Sequence, residues 1–143
     1  MTVSPVYHVS STSTGGGRDS EVVSESGRID LVLAPPVEMG GNGDGSNPEE
    51  LFSAGYAACF MGALRHVAKT KGATLTDETA VKVTVGIGGD DADGGFGLTA
   101  DIDVYLPGLE TAEAAELAQA AHGFCPYSKA TRGNIASTVT SRV

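Results

Sequence analysis

The sequence has 143 residues and a formal net charge of −9, with 9 Lys and Arg against 18 Asp and Glu. This length predicts a single domain over residues 1–143, whose core needs neither metal nor disulfide. The acidic balance argues against nucleic acids and anionic membrane surfaces as partners, because both carry charge of the same sign. No apolar run reaches the roughly 20 residues of a membrane helix, and no secretory signal is visible, so a cytoplasmic protein is expected.

The N-terminal part of the chain is predicted to form a small antiparallel sheet. Its short apolar runs lie between residues 5 and 33 and are separated by turn-forming residues. The residues that mark the runs are Tyr7 and Val9, then Val22, then Ile29, Leu31 and Leu33. A glycine-rich turn, Thr14–Asp19, joins the first two runs, and a loop rich in Pro and Gly spans residues 34–46.

A long helix is predicted to follow this loop. Asn47 can cap its N-terminus, Pro48 suits the first helical position, and Gly72 marks its end. The segment Leu51–Leu64 carries no charge and no strict amphipathic stripe, so this helix is expected to be buried on most of its surface. Cys59 lies in the middle of it.

Alternating apolar residues then predict a β-hairpin with its loop at Gly88–Gly97. One strand has Val81, Val83, Val85 and Ile87 on the same face, and the other has Leu98, Ala100, Ile102, Val104 and Leu106 on the same face. Thr111 is predicted to cap a second helix. The dipeptide Cys125–Pro126 is expected to interrupt that helix, because proline disfavours the helical conformation of the residue before it.

A last strand carries Ile135, Val139 and Val143. The predicted fold class is therefore α+β, with antiparallel strands in two sheets and two main helices that each bear one cysteine.

The two cysteines leave two interpretations open. A free cysteine is commonly an inert, buried residue, which would suit Cys59. Cys125, however, lies at a predicted helix break, where side chains are commonly held at a surface or in a cleft. The spacing of the cysteines excludes a thioredoxin-like C-x-x-C motif. The three histidines show no metal-ligand spacing with either cysteine, so no metal site is predicted.

Two cysteine-containing segments, residues 47–60 and 125–135, resemble the two signatures of the Ohr/OsmC family. The segments Gly15–Asp19, Leu33–Pro36 and Gly94–Leu98 are also similar to the organic hydroperoxide resistance (Ohr) branch of that family. The resemblance covers nearly the whole chain. It shows two departures, an extra glycine before Arg18 and Glu50 where glutamine is frequent, and neither removes a functional position.

This resemblance implies an OsmC-like fold, with antiparallel sheets around a long central helix in an intertwined homodimer. It also implies a thiol-dependent peroxidase that reduces alkyl and fatty-acid hydroperoxides to alcohols. In that scheme Cys59 is the peroxidatic nucleophile and Cys125 resolves its sulfenic acid into a disulfide, while Arg18 and Glu49 complete the site. The resemblance further implies that no cofactor is bound and that dihydrolipoamide on lipoylated proteins returns the electrons.

The chemistry of these residues agrees with such roles. A thiol buried on an apolar helix has a raised pKa, and a nearby guanidinium from Arg18 would lower it and would also donate to peroxide oxygens. Glu49 would hold Arg18 through a charge-assisted pair. The apolar side chains expected at the entrance, which would favour alkyl peroxides over hydrogen peroxide, are Phe52, Tyr56 and Phe96.

The spacing of Glu49 and Cys59 predicts a shared site. These residues are ten apart in the sequence, which on a straight helix is about 15 Å of rise and a different face. An arginine held on Glu49 cannot easily reach the cysteine of the same helix. We therefore expect each site of the homodimer to combine Arg18 and Glu49 of one subunit with the cysteines of the other.

Three alternatives to this reading remain. An OsmC-type peroxidase would differ in its relative rates on alkyl and hydrogen peroxide. A dimeric binding protein on the same scaffold would keep its thiols when a stoichiometric peroxide is added. A disulfide-stabilised structural module would lose thermal stability on reduction.

Overall fold

The computed structural model describes residues 2–143, which form two compact units. The first unit ends at Leu51 and the second is Phe52–Val143. Both contain strands and helical residues, which confirms the α+β class. Met1 lies outside the described residues, and the prediction of one domain over residues 1–143 stays a prediction.

The first unit contains the expected three-stranded antiparallel sheet. Its strands are β1 (Ser11–Thr14), β2 (Glu21–Ser24) and β3 (Asp30–Val32), in the order β1-β2-β3. The predicted position of the first strand is wrong, because Tyr7 and Val9 precede β1 and are exposed. The strand β1 consists of Ser and Thr, so it offers no alternation of apolar and polar residues to detect. Its pairing with β2 is set by the turn between the two strands.

The predicted loop over residues 34–46 contains a short 3-10 turn, Val37–Met39. An isolated bridge pairs Leu33 with Ser46, which closes the loop just before the long helix.

The long helix α1 spans Pro48–Lys71, as predicted. The side-chain oxygen of Asn47 accepts the backbone N–H of Glu50 at 2.9 Å, so the predicted N-cap is confirmed. Gly72 adopts a φ of +75° just beyond the last turn, where a glycine ends a helix without steric cost.

The expectation that α1 is buried over most of its surface needs a correction. One face is fully buried through Tyr56, Phe60, Ala63, Leu64 and Ala68. Three small residues at four-residue intervals, Ala54, Ala58 and Gly62, are exposed in this chain. Small side chains carry little apolar surface, so a charge-free sequence does not by itself identify which face is covered.

The second unit contains a three-stranded sheet in the order β4-β5-β6, formed by Ala80–Gly89, Phe96–Tyr105 and Ala136–Arg142. The hairpin prediction is confirmed, since Val83 lies opposite Ile102 and Val81 opposite Val104. Each strand extends two residues into the predicted loop, which leaves residues 90–95 between them. The last strand, β6, pairs with β5 in parallel, which differs from the antiparallel arrangement expected for all strands. The helical segment between β5 and β6 carries the chain back along the sheet and makes this parallel pairing possible.

Two helices lie between β5 and β6, α2 (Thr111–Phe124) and the short α3 (Pro126–Thr131). The N-cap position of α2 is Glu110, which makes no side-chain capping bond, so the predicted cap at Thr111 is wrong by one residue. The predicted break is confirmed at Cys125, whose ψ of 125° is extended. Cys125 therefore lies between two helices rather than on one, and α3 was not predicted.

The core of the second unit lies where α1, the sheet and α2 pack together. Its largest fully buried side chains include Tyr56, Phe60, Leu64, Ile102 and Leu117. Within residues 2–143, none of the helices is long and apolar enough to cross a membrane.

Candidate active site

The two cysteines of the second unit lie side by side as free thiols. Their Sγ atoms are 3.6 Å apart. Cys125 is fully buried, whereas Cys59 is partly exposed. A disulfide requires an S–S distance of about 2.05 Å, so the sulfurs need to approach by only about 1.5 Å to form one. The pair can therefore be oxidised with little rearrangement of the backbone.

Local backbone structure holds Cys125 at this position. Its N–H donates to the carbonyl oxygen of Ala121 at 2.8 Å, as the last bond of α2. Its own carbonyl oxygen accepts the N–H of Lys129 at 3.0 Å, as the first bond of α3. Pro126 disfavours the helical conformation at Cys125, so Cys125 caps the end of α2 and the start of α3.

The surroundings of Cys59 disfavour its thiolate. Burial raises the pKa of the Cys59 thiol, while a hydrogen bond from the backbone N–H of Tyr127 lowers it by stabilising the anion. The adjacent Cys125 raises it further, because two sulfurs 3.6 Å apart do not readily carry negative charge together. Together these effects raise the pKa of Cys59 within this unit, which is the direction expected for a thiol on an apolar helix.

Arg18 and Glu49 form a bidentate ion pair in the first unit. Arg18 Nη1 donates to Glu49 Oε2 at 3.0 Å, and Nη2 donates to Oε1 at 2.7 Å. Arg18 lies in the β1–β2 turn, where Gly15 and Gly17 adopt positive φ values of 66° and 80°, and Glu49 lies in the first turn of α1. The hydrogen bond from Arg18 lowers the pKa of Glu49, and the same bond raises the pKa of Arg18.

The three apolar residues predicted at the entrance have different surroundings. Phe52 is partly buried and its ring stacks on that of Tyr127, with centroids 6.2 Å apart. Tyr56 is fully buried and contacts both of these rings, at centroid distances of 5.8 and 5.7 Å. Phe96, at the start of β5, is 77% exposed. Their contribution to substrate binding stays a prediction.

A polar network joins α1, which carries Cys59, to the two helices that flank Cys125, and sequence reasoning missed it. Ser128 Oγ lies 2.9 Å from the Tyr56 hydroxyl and 3.0 Å from His122 Nδ1. Thr131 Oγ1 lies 3.3 Å from the same hydroxyl. Burial, and secondarily the charge of Arg132, lower the pKa of His122. A signal in the sequence was the spacing, since Tyr56 precedes Cys59 by three residues, and His122 and Ser128 flank Cys125 by three.

Comparison with known proteins identifies the family of this chain. The family model described as OsmC-like protein matches residues 41–140. An organic hydroperoxide resistance protein of Xanthomonas axonopodis pv. citri is 46% identical over 136 residues, covering 94% of each chain. The chain belongs to the OsmC-like family, in its organic hydroperoxide resistance branch. A further member of that branch, OhrB of Bacillus subtilis, is 44% identical and covers 84% of this chain and 87% of its own length.

Solved structures of this branch share the fold. A putative organic hydroperoxide resistance protein of Vibrio cholerae, with captopril bound in one of its active sites, has a TM-score of 0.90 at 42% identity, covering 99% of this chain and 95% of its own. The crystal structure of OhrB of Bacillus subtilis has a TM-score of 0.87 at 38% identity, covering 96% of this chain and 100% of its own. The OsmC-like fold predicted for the chain is therefore confirmed.

The structure thus places the four residues predicted for an OsmC-like site as two pairs, Cys59 with Cys125 and Arg18 with Glu49. Their catalytic roles stay predictions. Among residues 2–143, no group of three or more His, Cys, Asp or Glu side chains could hold a metal ion.

Proposed function

We propose that this protein is a thiol-dependent peroxidase that reduces alkyl and fatty-acid hydroperoxides to alcohols. The observation that carries the proposal is the thiol pair, with one sulfur partly exposed and the other buried 3.6 Å away. A partly exposed thiol can meet a substrate, and a buried neighbour can react only with what forms on the first. The names of the relatives in the organic hydroperoxide resistance branch support the substrate class.

In the first step the Cys59 thiolate attacks the terminal oxygen of the hydroperoxide. An S–O bond forms, the O–O bond breaks, and the leaving alkoxide takes up a proton to become the alcohol. Cys59 is left as a sulfenic acid. The hydroperoxide is reduced by two electrons, and the sulfur is oxidised by two.

In the second step the Cys125 thiol attacks the sulfenic sulfur. An S–S bond forms, the S–O bond breaks, and hydroxide leaves as water with the thiol proton. The short distance between the sulfurs favours this step over reaction with a second peroxide.

Arg18 is proposed to stabilise both the thiolate and the negative charge on the departing oxygen. Its bidentate pair with Glu49 fixes the guanidinium plane, which leaves donors on Arg18 available for a substrate oxygen. Because Glu49 and Cys59 are ten residues apart on one helix, we propose a homodimer in which each site takes Arg18 and Glu49 from one subunit and the thiols from the other.

Reduction of the Cys59–Cys125 disulfide takes two electrons, and we propose that the dihydrolipoyl group of lipoylated proteins supplies them. One thiolate of that group forms a mixed disulfide, and the second displaces the protein thiolate to give a closed lipoyl disulfide. Two electrons and two protons return to the cysteines. No cofactor bound to the enzyme is required.

The test is hydroperoxide consumption with dihydrolipoamide as the sole reductant. We expect turnover of cumene hydroperoxide and of a fatty-acid hydroperoxide at higher kcat/KM than hydrogen peroxide, and none for Cys59→Ser. Faster turnover of hydrogen peroxide than of both organic substrates would favour the OsmC-type alternative. Absence of turnover with every peroxide and with both dihydrolipoamide and dithiothreitol would favour a binding protein.

A further inference from the structure

We infer that Ser128 is a positioning residue for the resolving thiol, holding Cys125 beside Cys59 through hydrogen bonds to α1 and α2. The inference rests on the proposed function, because it concerns the step in which the disulfide forms. Ser128 is fully buried, and its hydroxyl is in contact with Tyr56 of α1 and His122 of α2.

The spacing of these residues explains how the Ser128 hydroxyl can position the sulfur of Cys125. His122 precedes Cys125 by three residues and Ser128 follows it by three, so their 3.0 Å contact bridges the break between α2 and α3. Tyr56 precedes Cys59 by three residues, and residues with this spacing lie on the same face of a helix. The contact of Tyr56 with Ser128 therefore ties the segment carrying one thiol to the segment carrying the other.

The directions of the hydrogen bonds follow from counting hydrogens. The Thr131 hydroxyl donates to the carbonyl oxygen of Ser128 at 3.2 Å, so it can only accept from Tyr56. The single hydrogen of the Tyr56 hydroxyl is then used, and Ser128 must donate to Tyr56. His122 must in turn donate to Ser128 from Nδ1.

Four bonds thus use four hydrogens in one direction, from His122 to Ser128, to Tyr56, to Thr131 and back to the Ser128 carbonyl. Because every hydrogen bond in this series has a fixed donor and acceptor, the Ser128 hydroxyl has no freedom to rotate. This fixes α3, and with it the backbone of Cys125, because the Cys125 carbonyl accepts the first hydrogen bond of that helix.

The consequence lies in the competition for the Cys59 sulfenic acid. Attack by Cys125 forms the disulfide and releases water. A second hydroperoxide instead transfers one oxygen to the sulfenic sulfur, giving a sulfinic acid and an alcohol. Loosening α3 displaces Cys125 and slows the first reaction, whereas the second reaction does not use the Cys125 thiol. The proportion of sulfinic acid therefore reports how well Cys125 is positioned.

The experiment titrates reduced protein with cumene hydroperoxide and measures disulfide and sulfinic acid by intact mass. Wild type is compared with Ser128→Ala, which removes the hydroxyl, and with Ser128→Thr, which retains it. We expect the ratio of sulfinic acid to disulfide to rise roughly tenfold or more in Ser128→Ala, since a displacement of about 1 Å can slow a reaction by that much. Ser128→Thr is expected to restore a ratio near that of wild type.

Val104→Ala is the matched control, because Val104 is fully buried in β5 of the same unit and takes no part in the network. It is expected to lower Tm and to leave the ratio unchanged. Tyr56→Phe and His122→Gln each interrupt the chain of bonds at another point and are expected to raise the ratio, which keeps the test available if Ser128→Ala fails to fold.

The inference is overturned if Ser128→Ala gives the ratio of wild type, or if Val104→Ala raises the ratio equally. A wild type in which neither oxidation product forms would instead contradict the proposed function. The two failures are therefore distinguishable.

Discussion

Cys59 and Cys125 are chemically the same side chain in different surroundings. Cys125 has no exposed surface, whereas Cys59 is partly accessible and accepts a hydrogen bond from the backbone of Tyr127. Within the second unit, however, burial and the second sulfur raise the pKa of Cys59. A reactive Cys59 therefore needs a cation, and the proposed mechanism assigns that part to Arg18.

The ion pair that holds Arg18 persists through the neutral range. Glu49 has a lowered pKa in the folded protein, so the pair stabilises the fold above the ordinary pKa of a glutamate, about 4.3. This contribution is lost only as the pH falls through the lower, folded pKa. A loss of activity between pH 5 and 7 is therefore not expected to come from the breaking of this pair.

We expect Arg18→Ala to move the thiolate titration of Cys59 to higher pH, because the nearby positive charge is removed while burial remains. The measurement is the pH dependence of iodoacetamide labelling in a Cys125→Ser background, where Cys59 is the only thiol. The rate with cumene hydroperoxide at pH 7 should fall on the order of 10²-fold. Arg18→Lys keeps the charge without the bidentate geometry, so its titration and its rate should lie between those of wild type and Arg18→Ala. An unchanged titration in Arg18→Ala would contradict the role of Arg18.

At the scale of elements, Gly55 shows how α1 accommodates α3. A Cβ at Gly55 would lie 3.0 Å from the Tyr127 hydroxyl oxygen and 3.3 Å from its Cε2, so the ring of Tyr127 packs directly on the helix backbone. Gly123 of α2 is a suitable comparison, because a Cβ there meets no atom within 4 Å.

We expect Gly123→Ala to stabilise the protein by up to about 1 kcal/mol, as is usual for Gly to Ala within a helix. Gly55→Ala should be at least about 1 kcal/mol less stable than Gly123→Ala, because the added methyl group displaces Tyr127. Urea unfolding of both variants measures the difference. Equal stabilisation by the two substitutions would show that the ring moves away freely.

The sequence predicted the elements whose signals are local. Asn47 and Gly72 bounded α1, and the residue before Pro126 marked the end of α2, because caps and proline act on their immediate neighbours. The parallel pairing of β6 with β5 was not predicted, since strand direction depends on the path of the intervening helices.

The same distinction applies to the site. Cys59, Cys125, Arg18 and Glu49 were found through motifs, each of which is a short segment of the chain. The network around Ser128 was missed because Tyr56 and Ser128 are separated by 72 residues in the sequence. A serine gives no indication in sequence of whether its hydroxyl is buried.

At the scale of the whole molecule, the account depends on a dimer with shared sites. If the sites are shared, a mixture of Arg18→Ala and Cys59→Ser subunits produces heterodimers that each contain one complete site. Random reassociation of equal amounts should then restore about a quarter of wild-type activity, since half the dimers are mixed and half of their sites are intact. The measurement is peroxidase activity after the two variants are unfolded together and refolded. Activity no higher than that of the separate variants would contradict shared sites.

The most direct test of the central claim is a thiol count after the reduced protein is mixed with one equivalent of an alkyl hydroperoxide, with hydrogen peroxide in parallel. The account predicts that wild type rapidly loses both thiols, faster with the alkyl peroxide, and that Cys125→Ser loses its single thiol as the sulfenic acid. Cys59→Ser should lose none. If wild type keeps both thiols, or if Cys59→Ser reacts as fast as wild type, then Cys59 is not the peroxidatic nucleophile.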